Sequence, residues 1–167
     1  TPVSLVSMVA DNYQFFKSQV GLPEPYKTTR RTPFSHSFCK HVVSDNQPLI
    51  VNDARQHDVV KDNLAIRDLN VIGYLGFPLT LKDGKSLGSL CVIDSEIRNW
   101  SSEDIAIMKL LTDLVTLEFD TRAMVHTGEL SNSELDNLHN RLLELIDSIN
   151  LDLTKAEILS QLNEYRA

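Results

Sequence analysis

Residues 73–94, GYLGFPLTLKDGKSLGSLCVID, constrain the fold more than any other segment of this chain. Two long apolar runs are joined there by Asp83-Gly84, and an Asp-Gly pair between strand-like segments is the strongest short-range hairpin signal, because the type I′ turn needs positive φ at both central positions. The second run, residues 87–93, is apolar on both faces of the pleat. Such a strand lies inside a sheet that is covered on both faces, so the sequence predicts a central antiparallel hairpin.

Length and charge narrow the possible partners. A chain of 167 residues predicts one domain with an appendage. The net charge of −7 argues against a surface for nucleic acid and against attraction to an anionic membrane. No run of apolar residues is long enough to span a bilayer. We therefore expect no nucleic-acid partner, no membrane contact and a cytoplasmic location. Because the chain begins with Thr1 rather than Met, we also expect it to be a fragment of a longer protein.

The remaining patterns predict a series of short elements before the hairpin. Residues 3–9 and 13–20 are rich in β-branched and aromatic side chains and predict a first pair of strands around Asp11-Asn12. Residues 21–33 contain three prolines and predict a loop. The other short elements are a helix over 34–43, a strand over 48–54 and a helix over 61–69.

Two longer helices are predicted after the hairpin. Ser101 and Ser131 are suitable N-caps, and Glu134 completes a capping box with Ser131. The predicted helices run over 100–124 and 131–150, and leucines recur at spacings of three and four in the second, for about two heptads. A last helix is predicted from Thr154. The sequence therefore predicts a domain over residues 1–127 and a helical extension over 128–167.

Few side chains suggest a catalytic or metal-binding role. The segment HSFCKH, residues 36–41, holds two histidines and a cysteine, but His41 points away from the other two on a helix, so no metal site is predicted. Cys39 and Cys91 are far apart and have apolar neighbours, which predicts reduced, buried thiols. A catalytic cysteine would need an adjacent base and a lowered pKa. The sequence predicts no catalytic residue.

Other candidates have two interpretations that the sequence leaves open. Asn52 and Asp53 end a strand, where they form either the polar rim of a pocket or an Asx turn that shapes the backbone. Phe15, Tyr74 and Phe77 either line an apolar ligand cavity or fill the core.

Four segments together resemble a GAF domain, the small-molecule sensory module of signalling proteins. They are SHSFCKHVV (35–43), PLIVNDAR (48–55), DNLAIRDLNVIGYLGFPL (62–79) and DGKSLGSLCVID with NWSSED (83–104). The resemblance covers roughly residues 1–123. It implies an α+β fold with an antiparallel sheet of about six strands, helices on both faces and a ligand pocket under short helices. A helix usually precedes the first strand in this family and is absent here.

The resemblance implies a non-enzymatic sensory and dimerisation module of two-component or cyclic-nucleotide signalling, with any enzymatic output in another domain. It implies an unidentified small ligand, no cofactor, and a homodimer through helices 101–124 and 131–150. A bilin chromophore is not expected, because neither cysteine precedes a histidine. The alternative is a thiol-based redox sensor or a methionine-sulfoxide-reductase-like enzyme that uses Cys39. The candidate ligand-binding residues are Phe15, Ser37, Cys39, Asp53, Tyr74, Phe77 and Cys91.

Overall fold

The computed structural model describes residues 1–82 and 84–148, and the chain divides between Val115 and Thr116 into two compact units. The first unit holds the sheet, the short helices and the beginning of a long helix. The second holds the rest of that helix and the helix after it. The predicted boundary near residue 127 stays a prediction.

The described residues form a six-stranded antiparallel sheet with the order β3-β2-β1-β6-β5-β4. It consists of two three-stranded halves, joined where β1 pairs with β6 from Val3 opposite Ile93 to Met8 opposite Gly88. The predicted fold class is therefore confirmed. The strands are β1 Val3–Val9, β2 Tyr13–Val20, β3 Arg31–Pro33, β4 Leu49–Val51, β5 Gly73–Thr80 and β6 Ser86–Asp94.

The predicted central hairpin is β5 and β6. Leu81 N–H donates to the carbonyl of Lys85 at 2.9 Å, which closes the turn. Gly84 has a φ of 82°, a conformation in which glycine avoids the strain of a side chain. The other half of the predicted turn, Asp83, lies outside the described residues. β6 lies between β1 and β5, so its central position is confirmed.

The described residues also form five α-helices, and the two longest begin at the predicted caps. Ser101 and Asp104 exchange side-chain and backbone hydrogen bonds at the start of α4, and Ser131 and Glu134 do so at the start of α5. The predicted helix from Thr154 lies outside the described residues. The helices are α1 Tyr26–Thr29, α2 Cys39–Asp45, α3 Leu64–Leu69, α4 Ser102–Thr127 and α5 Asn132–Ser148, and Phe34–His36 and Ala54–Gln56 are single turns of 3₁₀ helix.

The segment predicted as a loop, residues 21–33, contains α1 and β3 instead. β3 forms because it pairs with β2 and because buried Thr32 accepts a hydrogen bond from Gln14 Nε2 at 2.8 Å. The predicted helix over 34–43 is also interrupted. Ser37 has extended backbone angles between the 3₁₀ turn and α2, and its hydroxyl accepts from Lys40 N–H at 3.1 Å in the first turn of α2.

Both faces of the sheet are buried, as predicted. On one face, here called the cavity face, Leu5, Tyr74 and Cys91 form a core with residues of α2 and α3. Alternate residues of the same strands point to the opposite face, here called the closed face, which carries Val6, Leu75 and Leu90 at no more than 3% exposure. In the part of the chain that the structure describes, no helix combines the length and the apolar character needed to cross a bilayer.

The second unit is a helical hairpin with a charged interior. The turn is closed by Gly128, whose φ is 78°, and by hydrogen bonds from Glu129 and Leu130 N–H to the carbonyl of Met124. Buried Glu118 accepts from Arg122 Nε at 2.6 Å and lies 3.4 Å from His139 Nδ1. Glu118 of α4 and His139 of α5 therefore contact each other within this hairpin.

Candidate functional site

A cavity of about 60 Å³ lies on the cavity face, beneath the 3₁₀ turn at Phe34–His36, the start of α2 and α3. It has room for a few water molecules, since about 10–15 Å³ holds one. Sites for drug-sized ligands are larger, at roughly 300–1,000 Å³. Its apolar wall consists of Val3, Leu5, Phe16, Leu22, Pro23, Phe38, Ala65, Leu69, Val71 and Ile93, and its polar residues are Gln14, His36, Cys39 and Tyr74.

Gln14 is the centre of an uncharged hydrogen-bond network in the wall of this cavity. Its amide donates to Thr32 and accepts from Ser37 Oγ at 2.5 Å. The carbonyl of Ser37 accepts in turn from Asn63 Nδ2 at 3.0 Å, just before α3. The network therefore connects β2, β3, α2 and α3, and it holds the roof of the cavity on the sheet without any buried charge.

The two cysteines meet beside the cavity. Cys39 Sγ lies 3.8 Å from Cys91 Sγ and accepts a hydrogen bond from the Tyr74 hydroxyl at 3.4 Å. The hydrogen bond with Cys91 lowers the pKa of the Cys39 thiol to about 6, although burial opposes this shift. The hydrogen bond with Cys39, together with burial, raises the pKa of Cys91. Burial likewise raises the pKa of Tyr74.

An ion pair joins two of the segments that line the cavity. His36 Nε2 lies 3.0 Å from Asp68 Oδ2, so the 3₁₀ turn is tied to α3. Arg67 donates to both oxygens of Asp68, at 2.6 and 2.9 Å. These bonds, first from Arg67 and then from His36, lower the pKa of Asp68 to about 2.

The lining of the cavity carries no carboxylate, lysine or arginine among the described residues, and His36 is its one imidazole. A phosphate group would meet no arginine there. Elsewhere in the described chain, no cluster of three or more His, Cys, Asp or Glu residues has the arrangement of a metal site. The cavity therefore suits a small, neutral and mostly apolar molecule.

Known proteins share this architecture. The GAF domain family matches residues 3–119. The chain belongs to the GAF family. The GAF domain of a phosphoenolpyruvate-protein phosphotransferase from Coxiella burnetii has the same fold, with a TM-score of 0.59 at 20% identity over 77% of this chain and 76% of that one.

Two curated relatives are proteins of cyclic di-GMP signalling. A cyclic di-GMP phosphodiesterase of Pseudomonas aeruginosa is 32% identical over 159 residues, which cover 93% of this chain and 25% of that protein. The diguanylate cyclase DgcP of Escherichia coli is 28% identical over 102 residues, which cover 61% of this chain and 29% of that protein. The chain thus spans about a quarter of the length of these relatives.

The GAF domain brings together some of the predicted ligand-binding residues. Cys39 and Tyr74 line the cavity. Cys91 contacts Cys39, and Ser37 bonds to Gln14, so both lie just behind the lining. Their role in binding stays a prediction.

Three predicted residues lie outside the lining. Phe15 is 38% exposed, whereas its neighbour Phe16 faces the cavity. Phe77 lies on the closed face, in register with Leu90. Asp53 caps the 3₁₀ turn at Ala54–Gln56 and forms an ion pair with Arg55 at 2.7 Å. The capping corresponds to the Asx turn, one of the two interpretations of this residue.

Sequence reasoning did not name Gln14, Phe16 or His36 as ligand-binding residues, although all three line the cavity. In β2 both Gln14 and Phe16 are buried, whereas Tyr13 and Phe15 are exposed. A glutamine in a buried register needs partners, and these come from β3 and from the segment before α2.

Proposed function

We propose that this chain is the sensory input module of a cyclic di-GMP signalling protein and that its cavity binds a small ligand. The observation that carries the proposal is the 32% identity with a cyclic di-GMP phosphodiesterase across nearly the whole chain. On this proposal the chain is not itself an enzyme, and cyclic di-GMP is made or hydrolysed by another domain of the parent protein. The reduced, buried cysteines support a cytoplasmic location for this module.

The cavity supports a neutral ligand rather than the dinucleotide itself. Its wall offers ten apolar residues, one amide, one imidazole and the Cys39–Tyr74 hydrogen bond. A dinucleotide would need more volume and cations for its phosphates. We therefore expect a compact molecule with one or two hydrogen-bonding groups.

Isothermal calorimetry of the native chain against a panel of small neutral metabolites, with cyclic nucleotides as the comparison, tests this proposal. Ala65 lines the cavity, so Ala65→Leu places three extra carbons in it and abolishes binding. The matched control is Leu87→Ala on β6, a residue that is 38% exposed and outside the lining, which leaves binding unchanged. Binding of a cyclic nucleotide that survives Ala65→Leu would contradict the proposal, as would a panel without any binding.

We also propose that α4 and α5 pair between two copies of the chain. Leu110 and Leu117 are each 45% exposed, and their spacing of seven residues places them on one face of α4. Leu138 of α5 is 39% exposed. A ligand shifts this pairing only if it favours one helix packing over another, so dimerisation provides the route by which occupancy of the cavity is transmitted.

Sedimentation velocity tests the dimer. We expect a dimer for the native chain and a monomer for Leu110→Glu with Leu117→Glu, since a buried charge opposes association. Leu87→Glu places the same charge on an equally exposed leucine of β6 and should leave the dimer intact. A native chain that sediments as a monomer, before and after removal of the residues beyond Gly128, would contradict the homodimer.

A further inference from the structure

We propose that Cys39 and Cys91 are a peroxide-reactive pair, in which oxidation joins the two thiols in a reversible disulfide beside the cavity. This goes beyond the proposed ligand-binding function and does not depend on it. The two residues are 52 positions apart in the chain, yet their Sγ atoms are 3.8 Å apart. The fold creates this contact because Cys39 begins α2, and α2 packs on β6, which carries Cys91.

The geometry leaves little distance to close. A disulfide has an S–S distance of about 2.05 Å, so the sulfurs approach by a little under 2 Å. Their side chains already point at one another across the α2–β6 contact. On this proposal the sulfurs close the gap through side-chain rotation and a small shift of α2.

Access to the pair is selective for small molecules. Cys39 is 1% exposed and Cys91 is fully buried, which excludes bulky reagents. Cys39 nevertheless lines the cavity, whose volume of about 60 Å³ holds a few water molecules. Hydrogen peroxide and small alkyl hydroperoxides fit within this volume. Oxidants of this class therefore reach the sulfur of Cys39 while larger thiol reagents do not.

The surroundings assign different roles to the two thiols. The nucleophile towards a peroxide is the thiolate. Cys39 lines the cavity and accepts a hydrogen bond from Tyr74, and its contact with Cys91 lowers the pKa of its thiol. Cys91 is fully buried outside the lining, and its hydrogen bond with Cys39 raises its pKa. Cys39 is therefore the attacking thiolate and Cys91 the thiol that completes the disulfide.

The reaction balances without a further reactant. The Cys39 thiolate attacks the terminal oxygen of the hydroperoxide, the O–O bond breaks, and the departing alkoxide or hydroxide takes a proton from water to leave as alcohol or water. Cys39 is then a sulfenic acid. The Cys91 sulfur attacks it, the S–O bond breaks, and the hydroxyl leaves as water with the Cys91 proton. The two sulfurs lose two electrons in total, and the peroxide gains them.

Intact-mass spectrometry of the native chain tests the proposal. The folded protein is exposed to hydrogen peroxide at neutral pH, unfolded, and treated with an alkylating reagent. We expect a monomer that is lighter by about 2 Da and has no alkylated thiol, and dithiothreitol should restore both thiols. Because the chain has only two cysteines, a monomer that has lost both thiols identifies the pair without ambiguity.

Two serine variants separate the roles. Cys91→Ser should stop at a sulfenic acid on Cys39, about 16 Da heavier and trapped by dimedone. In Cys39→Ser, Cys91 should be oxidised at least about tenfold more slowly than Cys39 is in the native chain, because Cys91 remains a protonated thiol. Circular dichroism of each variant verifies its fold, and the result for the native chain stands independently of both.

Three results would overturn the proposal. The first is that both thiols are still alkylated after treatment with peroxide at a concentration that converts the three methionines to sulfoxides. The second is a disulfide that joins two chains rather than Cys39 to Cys91. The third is oxidation of Cys91 in Cys39→Ser at the rate of Cys39 in the native chain.

Discussion

The two faces of the sheet are built from alternate residues of the same strands, yet they are packed differently. The closed face carries aliphatic and aromatic side chains, among them Val6, Leu75 and Leu90, all close to fully buried. The cavity face places a glutamine, two thiols and a tyrosine hydroxyl among its apolar residues and leaves about 60 Å³ unfilled. Close packing supplies stability, whereas a void with polar walls supplies a place for a ligand. The domain thus assigns these tasks to opposite faces.

Truncation of one leucine on each face should give the largest difference in the free energy of unfolding between the two faces. Leu75→Ala removes a fully buried side chain from the closed face and should lower the free energy of unfolding by about 2–5 kcal/mol. Leu69→Ala, at the half-buried cavity wall, should lower it by less than about 2 kcal/mol, because Leu69 already borders empty space. Urea denaturation measures both values, and equal losses would remove the proposed contrast between the faces.

Enlargement of two buried alanines should give an intermediate difference in the free energy of unfolding. Ala54→Leu inserts three carbons into the buried core cluster, outside the lining of this cavity, and should lower the free energy of unfolding by about 1–3 kcal/mol. Ala65→Leu directs the same carbons into the cavity and should change it by less than about 1 kcal/mol. The melting temperatures of the two variants provide the comparison, and a loss as large for Ala65→Leu as for Ala54→Leu would mean that the cavity cannot accept a ligand of that size.

Removal of one hydroxyl on the cavity face should shift the pKa of the Cys39 thiol. Tyr74→Phe deletes the donor to Cys39 Sγ, which favours the thiolate, so the pKa of Cys39 should rise above its value of about 6. Absorbance near 240 nm follows the thiolate as the pH is raised. Tyr13→Phe, on an exposed tyrosine of β2, is the control and should leave the midpoint unchanged. An unchanged midpoint in Tyr74→Phe would show that the hydroxyl does not stabilise the thiolate.

The smallest effect should come from the exposed ion pair that joins His36 to α3. Because the pKa of Asp68 is lowered to about 2 in the folded chain, its carboxylate stabilises the fold above its ordinary pKa of 3.8 and loses this effect as the pH falls through about 2. Asp68→Asn should therefore lower the melting temperature slightly at pH values above about 4, with a difference that disappears towards pH 2. Asp58→Asn, at a 97% exposed side chain, is the control and should leave the melting temperature unchanged. A difference for Asp68→Asn that grows as the pH falls would contradict this sign.

The central hairpin was predictable because its information is local. Apolar alternation and an Asp-Gly turn lie in one stretch of sequence, and Ser101 and Ser131 mark helix starts through neighbours three residues away. β3 was missed because three residues that end in a proline are too few to show alternation, and their partner β2 lies outside that segment.

The site was less predictable because it depends on contacts between distant segments. In β2 the odd positions carry Tyr13 and Phe15 and the even positions carry Gln14 and Phe16, so hydrophobicity alone does not choose the inward set. Thr32 and Ser37 settle the choice by bonding to Gln14. The contact between the cysteines likewise exists only once α2 packs on β6, which no spacing in the sequence reveals.

The pairing of β1 with β6 has a consequence for synthesis on the ribosome. β1 can pair with β2, which follows it within a few residues, but it cannot pair with β6 until residues 88–93 have been synthesised. At about 5–20 residues per second, that interval is roughly 4–17 s. During it, the edge of β1 that later meets β6 stays unpaired, and such an edge is prone to join other chains. Translation speed between residues 9 and 93 therefore sets how long each new molecule is vulnerable to aggregation.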